Sequence, residues 1–292
     1  MLDSFNDRWA LITGASSGIG AEFATQLASR GMHLILAARR KDRMTALATD
    51  LNTRHGTRCH VVTIDLAEPE AGQLLHAEIT RLGVEVELLI NNAGTGIIGQ
   101  IENTAPADIQ RMLHVNLLTL TDLTWRFLPE MLQRRHGAII NVSSQAAFQP
   151  VAFMGAYAAS KSYILHFSEA LWAEARSRGV TVMALCPGVT RTDFFDTAGA
   201  VGWLEKHSSQ TPQRVVKQAL RALEKRRQYV VPGWKDYLMT LLVRLTTRRT
   251  AVNESKRYFR PPKEKKESRS EEHTSELQSL AYLVCRLLLE KK

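Results

Sequence analysis

Residues 8–31 read RWALITGASSGIGAEFATQLASRG, a short apolar run followed by closely spaced glycines and then by a second apolar pattern. RWALIT predicts a β-strand, and the apolar residues after the glycines recur at helical spacing up to Gly31, which suits a helix C-terminus. The glycines of the turn are Gly14, Gly18 and Gly20, and the apolar helical positions are Ile19, Phe23 and Leu27. A strand, a glycine-rich turn and a helix in this order predict one βα unit of an α/β fold.

The same turn predicts a binding site for the pyrophosphate of a dinucleotide. Glycines let the backbone approach the phosphates, and the helix N-terminus offers free N–H groups and the positive end of its dipole. The alternative is a tight connection that binds nothing. Two serines inside the turn add hydroxyl donors. The predicted cofactor-binding residues of this unit are Gly14, Ser16, Ser17, Gly18, Ile19 and Gly20.

The end of the second predicted strand, HLILAA at residues 33–38, indicates which dinucleotide binds. An acidic side chain at this point binds the ribose hydroxyls of NAD. The sequence has Ala38 instead, followed by Arg39, Arg40 and Lys41. Cations without an acid favour the 2′-phosphate of NADPH, and Arg39 is the best candidate because a guanidinium binds phosphate and stacks on adenine. The alternative is that these are solvated loop charges.

Two further predicted strands end beside polar residues. CHVVTI at residues 59–64 leads into Asp65, whose carboxylate either caps the next turn or binds the adenine amino group; the sequence leaves both open. The strand at residues 86–90 leads into NNAG at residues 91–94.

Residues 106–134 predict one long helix because leucines recur at helical spacing. The positions expected to face the core are Leu113, Leu117, Leu120, Leu123 and Phe127. Asn116 lies among them in HVNLL. A polar amide with apolar neighbours needs hydrogen-bond partners, and the simplest interpretation is a satisfied core asparagine.

A tyrosine and a lysine, Tyr157 and Lys161, lie four residues apart in a predicted helix, so they share one helix face. An ammonium near a phenol favours the phenolate, so we expect the pKa of Tyr157 to fall from its usual ~10 and the phenol to exchange protons in catalysis. Ser144, thirteen residues earlier, ends the strand-like run GAIINVSS and is a candidate to bind a substrate carbonyl. The alternatives are a half-buried tyrosine beside a solvated lysine, and a turn or cap role for Ser144.

The composition fits one large α/β domain in a reducing compartment. The chain has 292 residues, of which 45% are hydrophobic, enough for a substantial core. The cysteines, Cys59, Cys186 and Cys285, form no CxxC pair, which argues against a disulfide framework and a structural zinc site. Residues 1–20 show no signal-peptide pattern, and no apolar run approaches the length of a bilayer span, so we expect a cytoplasmic protein.

The net charge of +9 is concentrated near the C-terminus. Residues 244–268 hold nine basic and three acidic residues, which contribute +6. WKDYLMTLLVRLTTRR at residues 234–249 is an amphipathic basic helix that overlaps them. We expect residues 236–268 to form a basic helix and tail, which either contacts an anionic membrane peripherally through residues 236–260 or packs over a substrate mouth or a partner subunit; we favour packing. Nothing beyond bulk charge favours nucleic-acid binding.

Four motifs in a fixed order resemble those of the short-chain dehydrogenase/reductase family. They are TGASSGIG at residues 13–20, NNAG at residues 91–94, a serine thirteen residues before YxxxK, and CPGVTRT at residues 186–192. The resemblance covers residues 8 to about 235. It implies a doubly wound Rossmann fold with a seven-stranded parallel sheet flanked by helices, in one catalytic domain over residues 1–235. It also implies a homodimer or homotetramer.

The resemblance assigns roles to the candidate catalytic residues. Tyr157 is the general acid in reduction, Lys161 lowers its pKa and holds the nicotinamide ribose, and Ser144 polarises the carbonyl oxygen. Asn116 corresponds to an asparagine that holds a water linking the lysine to solvent. The other cofactor-lining positions are Asp65, Leu66, Asn92, Ala93, Gly94, Tyr157, Lys161, Pro187, Gly188, Thr190 and Thr192.

Residues 193–209 correspond to the variable substrate loop of the family. Its large apolar side chains, with those of an earlier loop, suggest a lipophilic carbonyl substrate; the alternative is that half of them close the core. The candidate substrate residues are Ser144, Phe148, Phe153, Phe194, Phe195 and Trp203. The expected function is that of an NADPH-preferring carbonyl reductase or alcohol dehydrogenase. The rival interpretations are a non-catalytic NADPH sensor and a membrane-surface protein.

Residues 269–292 raise a separate hypothesis. RSEEHTSELQ at residues 269–278 and LVCRLLLEK at residues 283–291 back-translate to the two ends of a common sequencing-library adapter, in the proper order. We expect this segment to be a translated artefact, extended or detached from the core. The alternative is a short amphipathic helix at residues 276–290.

Overall fold

Seven parallel β-strands form one sheet in the computed structural model, which describes residues 6–200, 205 and 208–259. In chain order the strands are β1 (Trp9–Thr13), β2 (His33–Ala38), β3 (Cys59–Thr63), β4 (Val86–Asn91), β5 (Gly137–Val142), β6 (Val180–Leu185) and β7 (Tyr229–Val230). Their order across the sheet is β3-β2-β1-β4-β5-β6-β7. The predicted doubly wound Rossmann fold is confirmed.

Helices connect the strands and cover both faces of the sheet. In chain order they are α1 (Gly18–Ala28), α2 (Lys41–His55), α3 (Ala71–Leu82), α4 (Pro106–Leu113), α5 (Leu120–Arg134), α6 (Gly155–Ala175), α7 (Phe194–Thr197), α8 (Pro212–Glu224), α9 (Trp234–Leu245) and α10 (Arg248–Tyr258). Successive strand residues point to opposite faces. In β2, Leu34 and Leu36 therefore pack with α1, α2 and α8, whereas Ile35 and Ala37 pack with α3 and α5. Burial on both faces explains why the strands read as continuous apolar runs.

The strand order reverses at β1, which lies between β2 and β4. Chains leave the sheet in opposite directions at such a point, and a crevice opens at the carboxyl ends of the strands. The loops after β1 and β4 are fixed side by side there. The backbone N–H groups of Asn92 and Ala93 both donate to the Thr13 hydroxyl, at 3.0 Å, and the Asn92 amide donates to the Thr13 carbonyl oxygen at 2.9 Å.

The single helix predicted over residues 106–134 is interrupted by a π-helical turn, His114–Thr119. A π turn accommodates an extra residue, so it rotates the buried face of the segment relative to a regular helix. As a result Val115 and Asn116 are buried, whereas Leu113 and Leu117, which were expected in the core, are only half-buried. Leu120, Leu123 and Phe127 beyond the turn are buried as predicted.

The amphipathic segment predicted over residues 234–249 forms parts of two helices, α9 and α10. They separate at Thr247, whose hydroxyl accepts a hydrogen bond from the backbone N–H of Thr250 at 3.2 Å and so caps α10. One face of α9 packs on the 3₁₀ turn Gln145–Phe148. The predicted division between residues 235 and 236 therefore falls inside a helix that packs on the core.

Three other expectations concern membrane-spanning segments, the cysteines and the C-terminal segment. Among the described residues, no helix is long and apolar enough to cross a bilayer. Cys59 and Cys186 are both free thiols. Cys285 and the segment 269–292 lie outside the described residues, so the artefact hypothesis stays a prediction.

Candidate active site

A cavity of about 2420 Å³ lies at the carboxyl edge of the sheet. In a parallel sheet all the carboxyl ends meet at one edge, and the segment after each of the seven strands contributes to the wall of this cavity. Most of the residues predicted to bind cofactor or substrate therefore lie together. Those that line the cavity are Gly14, Ser16, Ser17, Gly18, Ile19, Arg39, Asp65, Leu66, Asn92, Ala93, Gly94, Ser144, Phe153, Tyr157, Lys161, Pro187, Gly188, Thr190, Thr192, Phe194 and Phe195.

The glycine-rich turn forms a concave cradle at the N-terminus of α1. Gly14 adopts φ +65°, and a Cβ there would lie 2.9 Å from the Ala93 Cα, so only glycine lets the two loops meet. Ser17 is the N-cap residue of α1, and its side chain makes no capping bond. Gly20 does not line the cavity; it lies beneath Gly14, against its carbonyl oxygen. This geometry, with backbone N–H groups and hydroxyls beside a helix N-terminus, fits the pyrophosphate of a dinucleotide.

Arg40 is the cation that contacts the cradle. Its guanidinium donates to the Ser16 hydroxyl at 3.0 and 3.1 Å and to the Ser17 hydroxyl at 2.6 Å. Arg39, the residue favoured from sequence, also lines the cavity, beside Asp65. The sequence signal for both was the run of cations after β2. Which of them faces the serines depends on how the chain turns into α2.

Asp65 caps the turn that follows β3. One carboxylate oxygen accepts from the backbone N–H of Ala67 at 3.0 Å, and the other pairs with Arg111 on α4. Burial opposes ionisation, but the hydrogen bonds from Ala67 and Arg111 outweigh it and hold the pKa of Asp65 below its usual value. Arg111 lines the cavity and was missed from sequence, because it lies on a distant helix with no local signal. The next residue, Leu66, is fixed by its carbonyl oxygen, which accepts from Thr119 at 2.8 Å.

Tyr157 and Lys161 lie on the first two turns of α6 and are nearly excluded from solvent, with 8% and 4% of their surface exposed. The Lys161 Nζ lies 5.6 Å from the centre of the Tyr157 ring and donates to the carbonyl oxygen of Val142, the last residue of β5, at 2.9 Å. Of the two roles weighed from sequence for Ser144, the cap is observed, and binding of a substrate carbonyl stays a prediction. Its hydroxyl accepts from the backbone N–H of Ala146 at 3.1 Å, which starts a 3₁₀ turn, and it lines the cavity beside Tyr157.

The expected fall in the Tyr157 pKa is wrong for this structure. Burial raises the pKa of Tyr157 to about 12, against a smaller lowering from its hydrogen bond with Ser144. Burial also lowers the pKa of Lys161 to about 8. The cause is desolvation, which disfavours both charged forms, while the ammonium bonds to a backbone carbonyl rather than to the phenol. The phenol therefore stays protonated at neutral pH, which is the form that a proton donor needs.

Asn116 lies behind the cavity wall rather than on it. It is fully buried, and its amide binds both backbone groups of Thr95 at 3.0 Å and the Ser160 hydroxyl at 3.1 Å. A Cβ on Gly94 would lie 3.2 Å from the Asn116 Oδ1 and 3.3 Å from the Lys161 Nζ. Asn116 thus fixes the segment that passes next to Lys161. Its role in a water relay stays a prediction.

Three polar residues near the segment after β6 were missed from sequence. The backbone N–H of Gln145 donates to the Pro187 carbonyl oxygen at 2.9 Å, and its side chain donates to the backbone carbonyl of Asp236 at 3.2 Å. The Gln210 amide donates to the Asp236 carboxylate, and burial raises the pKa of that carboxyl. These bonds attach the first turn of α9 to the wall of the cavity. Only the tertiary structure brings the three residues together.

Aromatic side chains from the predicted substrate loop reach Tyr157. The Phe194 ring lies 5.4 Å from the Tyr157 ring, and Phe195 packs edge-on against Phe194 at 5.4 Å. Phe148 was expected to face this loop but does not line the cavity. The 3₁₀ turn carries its ring towards Tyr229 and Arg244, each 6.0 Å away. Trp203 lies outside the described residues.

A second, smaller cavity of about 460 Å³ also reaches Tyr157. Its walls come from the loop after β4, from α4 and from the start of α6. Apolar side chains dominate them, among which are Ile97, Ile101, Ile109, Met112, Val151 and Met154.

Comparison with known proteins agrees with this geometry. The family model described as short chain dehydrogenase matches residues 8–200. The very-long-chain 3-oxoacyl-CoA reductase of Anas platyrhynchos is 32% identical over 188 residues, which cover 61% of this chain and 58% of that protein. The chain thus spans less than two thirds of the length of this relative.

Two solved structures show how far the likeness extends in three dimensions. The short-chain dehydrogenase from Sphingobium yanoikuyae, in complex with NADPH, has a TM-score of 0.74 and 33% identity over 78% of this chain and 88% of its own. A short chain dehydrogenase/reductase from Burkholderia phymatum, in complex with NAD, has a TM-score of 0.75 and 26% identity over 83% and 93%. With the family match over residues 8–200, these findings show that the chain belongs to the short-chain dehydrogenase/reductase family of oxidoreductases, which act on CH–OH and C=O groups.

Proposed function

We propose that this protein reduces the carbonyl group of a lipophilic substrate with NADPH. The observation that carries the proposal is that Ser144, Tyr157 and Lys161 share one cavity with a glycine-rich phosphate cradle. The dinucleotide, when bound, supplies the hydride. The protein supplies placement, proton transfer and charge stabilisation. The reverse reaction, oxidation of an alcohol, uses the same groups.

Each catalytic residue has a proposed part in reduction. The Tyr157 phenol, which burial keeps protonated, donates its proton to the carbonyl oxygen. Ser144 donates a second hydrogen bond to the same oxygen as negative charge develops on it. Lys161 holds the nicotinamide ribose and stabilises the phenolate that remains. Asn116, bonded to Thr95 and next to Lys161, keeps the proton path in place.

Replacing Tyr157 by Phe removes only the proton donor, so we expect turnover to fall by about 10²–10⁴-fold while NADPH affinity changes little. The measurements are NADPH consumption with a panel of ketones, aldehydes and acyl thioesters, and NADPH titration followed by fluorescence. Tyr163→Phe is the matched control, because that hydroxyl lies on the same helix but bonds to Thr121 at 3.0 Å. Near-normal turnover in Tyr157→Phe would exclude it as the acid.

The same panel of carbonyl substrates distinguishes a reductase from the rival function, a non-catalytic NADPH sensor. A non-catalytic NADPH sensor would bind the dinucleotide with wild-type affinity and consume none of it with any substrate class. The presence of Ser144 beside the buried Tyr157 and Lys161 weighs against this alternative, because a sensor has no need of a proton donor.

The pH profile of reduction tests the charge on Lys161. Its buried ammonium loses its proton as the pH rises through about 8, whereas Tyr157 stays protonated up to about 12. We therefore expect kcat/KM to be level below pH 8 and to fall about tenfold per pH unit well above it. In Lys161→Arg, which keeps its charge, the fall is expected to disappear. A wild-type profile that stays level to pH 10 would contradict a requirement for the ammonium.

Preference for NADPH over NADH is supported by the end of β2. Arg39 and Arg40 follow Ala38 there, where an acid would bind the ribose of NAD. Both arginines line the cavity, and Arg40 also contacts the cradle serines. One solved relative is in complex with NADPH and another with NAD, so the relatives do not indicate which cofactor is preferred. The proposed preference for NADPH therefore rests on the arginines of this chain.

Arg39→Asp is expected to shift selectivity from NADPH towards NADH, because it removes a cation and places a ribose-binding acid near the 2′ position. The expected change in the ratio of kcat/KM values is about tenfold or more, since charge-assisted hydrogen bonds contribute about 1.5–3 kcal/mol. Arg40→Ala is expected to weaken both cofactors, because its guanidinium also fixes the cradle. Lys41→Ala is the control. An unchanged ratio in Arg39→Asp would show that Arg39 does not discriminate.

A lipophilic substrate is supported by the aromatic side chains and the smaller apolar cavity at Tyr157. Phe194 packs on the tyrosine ring and Phe195 packs on Phe194, and the tyrosine also lines the smaller apolar cavity. The relative from Anas platyrhynchos is named a very-long-chain 3-oxoacyl-CoA reductase. Long-chain 3-oxoacyl thioesters and bulky ketones are therefore the first substrates to assay.

We also propose a cytoplasmic location with peripheral contact to anionic membranes through α9. One face of α9 packs on the core, while Trp234 and Leu245, which also line the cavity, are 68% and 84% exposed. Lys235, Arg244 and Arg248 lie beside them and are exposed as well. Exposed apolar groups bordered by cations suit an anionic lipid surface. Contact here would place the substrate mouth against the bilayer.

Sedimentation with vesicles tests the membrane contact. We expect the full chain to bind vesicles containing phosphatidylserine more than tenfold better than phosphatidylcholine vesicles, and the Trp234→Ser/Leu245→Ser variant to lose most of this binding. Trp125→Ser, which removes an equally exposed tryptophan from α5, is the matched control. Equal binding by all three proteins would rule out α9 as the contact.

A homodimer or homotetramer remains our expectation for the assembly. Leu118, Trp125 and Tyr163 are exposed in and around α5 and α6, and a second copy would cover them. Light scattering on the purified chain decides between these states and a monomer.

A further inference from the structure

Asp193 bridges the two sides of the main cavity. One of its carboxylate oxygens lies 3.4 Å from the Arg40 Nη1 and 3.2 Å from the Arg43 Nη1. Arg40 at the same time donates to both serines of the phosphate cradle. A carboxylate from the segment after β6 thus forms ion pairs with two cations that follow β2.

The residue next to Asp193 contacts the catalytic tyrosine. The Phe194 ring packs on the Tyr157 ring at 5.4 Å, and a Cβ on Gly96 would lie 2.5 Å from the far end of Phe194. The backbone N–H of Phe194 is further fixed by the Thr192 hydroxyl at 3.3 Å. Two consecutive residues therefore connect the cofactor cations to the proton donor.

A phosphate can displace the Asp193 carboxylate from its ion pairs with Arg40 and Arg43. Arg40, Arg43 and Asp193 are each about half exposed, and exposed ion pairs are weak. A phosphate carries more charge than a carboxylate and binds guanidinium groups through two parallel hydrogen bonds. A phosphate that reaches Arg40 and Arg43 therefore competes with Asp193 directly.

We propose that Asp193 is a positioning residue that couples recognition of the cofactor 2′-phosphate to the placement of Phe194 against Tyr157. Its carboxylate shares Arg40 and Arg43 with the phosphate, so a 2′-phosphate displaces it and a cofactor without that phosphate leaves it in place. The position of Phe194, and with it the fit of the substrate, then depends on which cofactor is bound. This inference rests on the proposed function, because it assigns the two arginines to the adenosine end of NADPH.

Binding of adenosine 2′,5′-bisphosphate to the full chain tests the competition without any turnover. Asp193→Asn removes the competing charge, so we expect its affinity for this probe to rise about two- to fivefold, with no change for adenosine 5′-monophosphate. Asp193→Glu keeps the charge and is expected to match the wild type. Asp108→Asn, which removes a carboxylate from another wall of the cavity, is the control. Unchanged or weaker binding of the bisphosphate by Asp193→Asn overturns the competition.

Steady-state kinetics test the coupling between the 2′-phosphate and the placement of Phe194. In the wild type we expect the KM of the carbonyl substrate to differ between saturating NADPH and saturating NADH, and in Asp193→Asn we expect this difference to disappear while Asp193→Glu keeps it. A difference that persists in Asp193→Asn overturns the positioning role. If the wild type itself binds the bisphosphate no better than the monophosphate, the proposed NADPH preference has failed instead, so the two failures are distinguishable.

Discussion

The hydroxyl of Thr13 joins the two loops on which the site is built. It accepts hydrogen bonds from the backbone N–H groups of Asn92 and Ala93 and donates to the Ile90 carbonyl oxygen at 3.3 Å. The loops after β1 and β4 are thereby held together at the point where the strand order reverses. Gly14 makes this approach possible because no side chain separates it from Ala93. The crevice that results receives the ends of all the other strands.

Within that crevice, burial governs the electrostatics of Tyr157 and Lys161. A lysine four residues from a tyrosine predicts an acidic phenol, yet both groups are withdrawn from water, which moves each pKa towards the neutral form. The ammonium is also held by Val142, so it does not lie against the phenol oxygen. The resulting pair has a protonated phenol and a lysine whose pKa is lowered to about 8. Such a pair suits proton delivery to a carbonyl oxygen.

Contacts between residues far apart in the chain link the glycine-rich cradle to Tyr157 across the cavity. Asp193 pairs with Arg40 and Arg43 near the cradle, and the next residue, Phe194, packs on Tyr157. The helix α9 is tied to the same wall through Gln145 and presents an exposed face to the outside. Segments that follow β5, β6 and β7 thus meet at this wall of the cavity.

The sequence by itself determined the family, the parallel sheet and most of the residues that line the cavity, because strand and helix periods and short motifs are local properties of the chain. The run of cations after β2 also indicated where the chain offers a site for a phosphate. The tertiary structure alone decided that Arg40 contacts the cradle, that Arg111 pairs with Asp65, and that Phe148 lies away from the cavity. It also showed that the pKa of Tyr157 is raised, whereas the sequence predicted that it would fall. The physical reason is that desolvation and pairing across distant segments depend on how the whole chain packs, and spacing along the sequence carries no information about either.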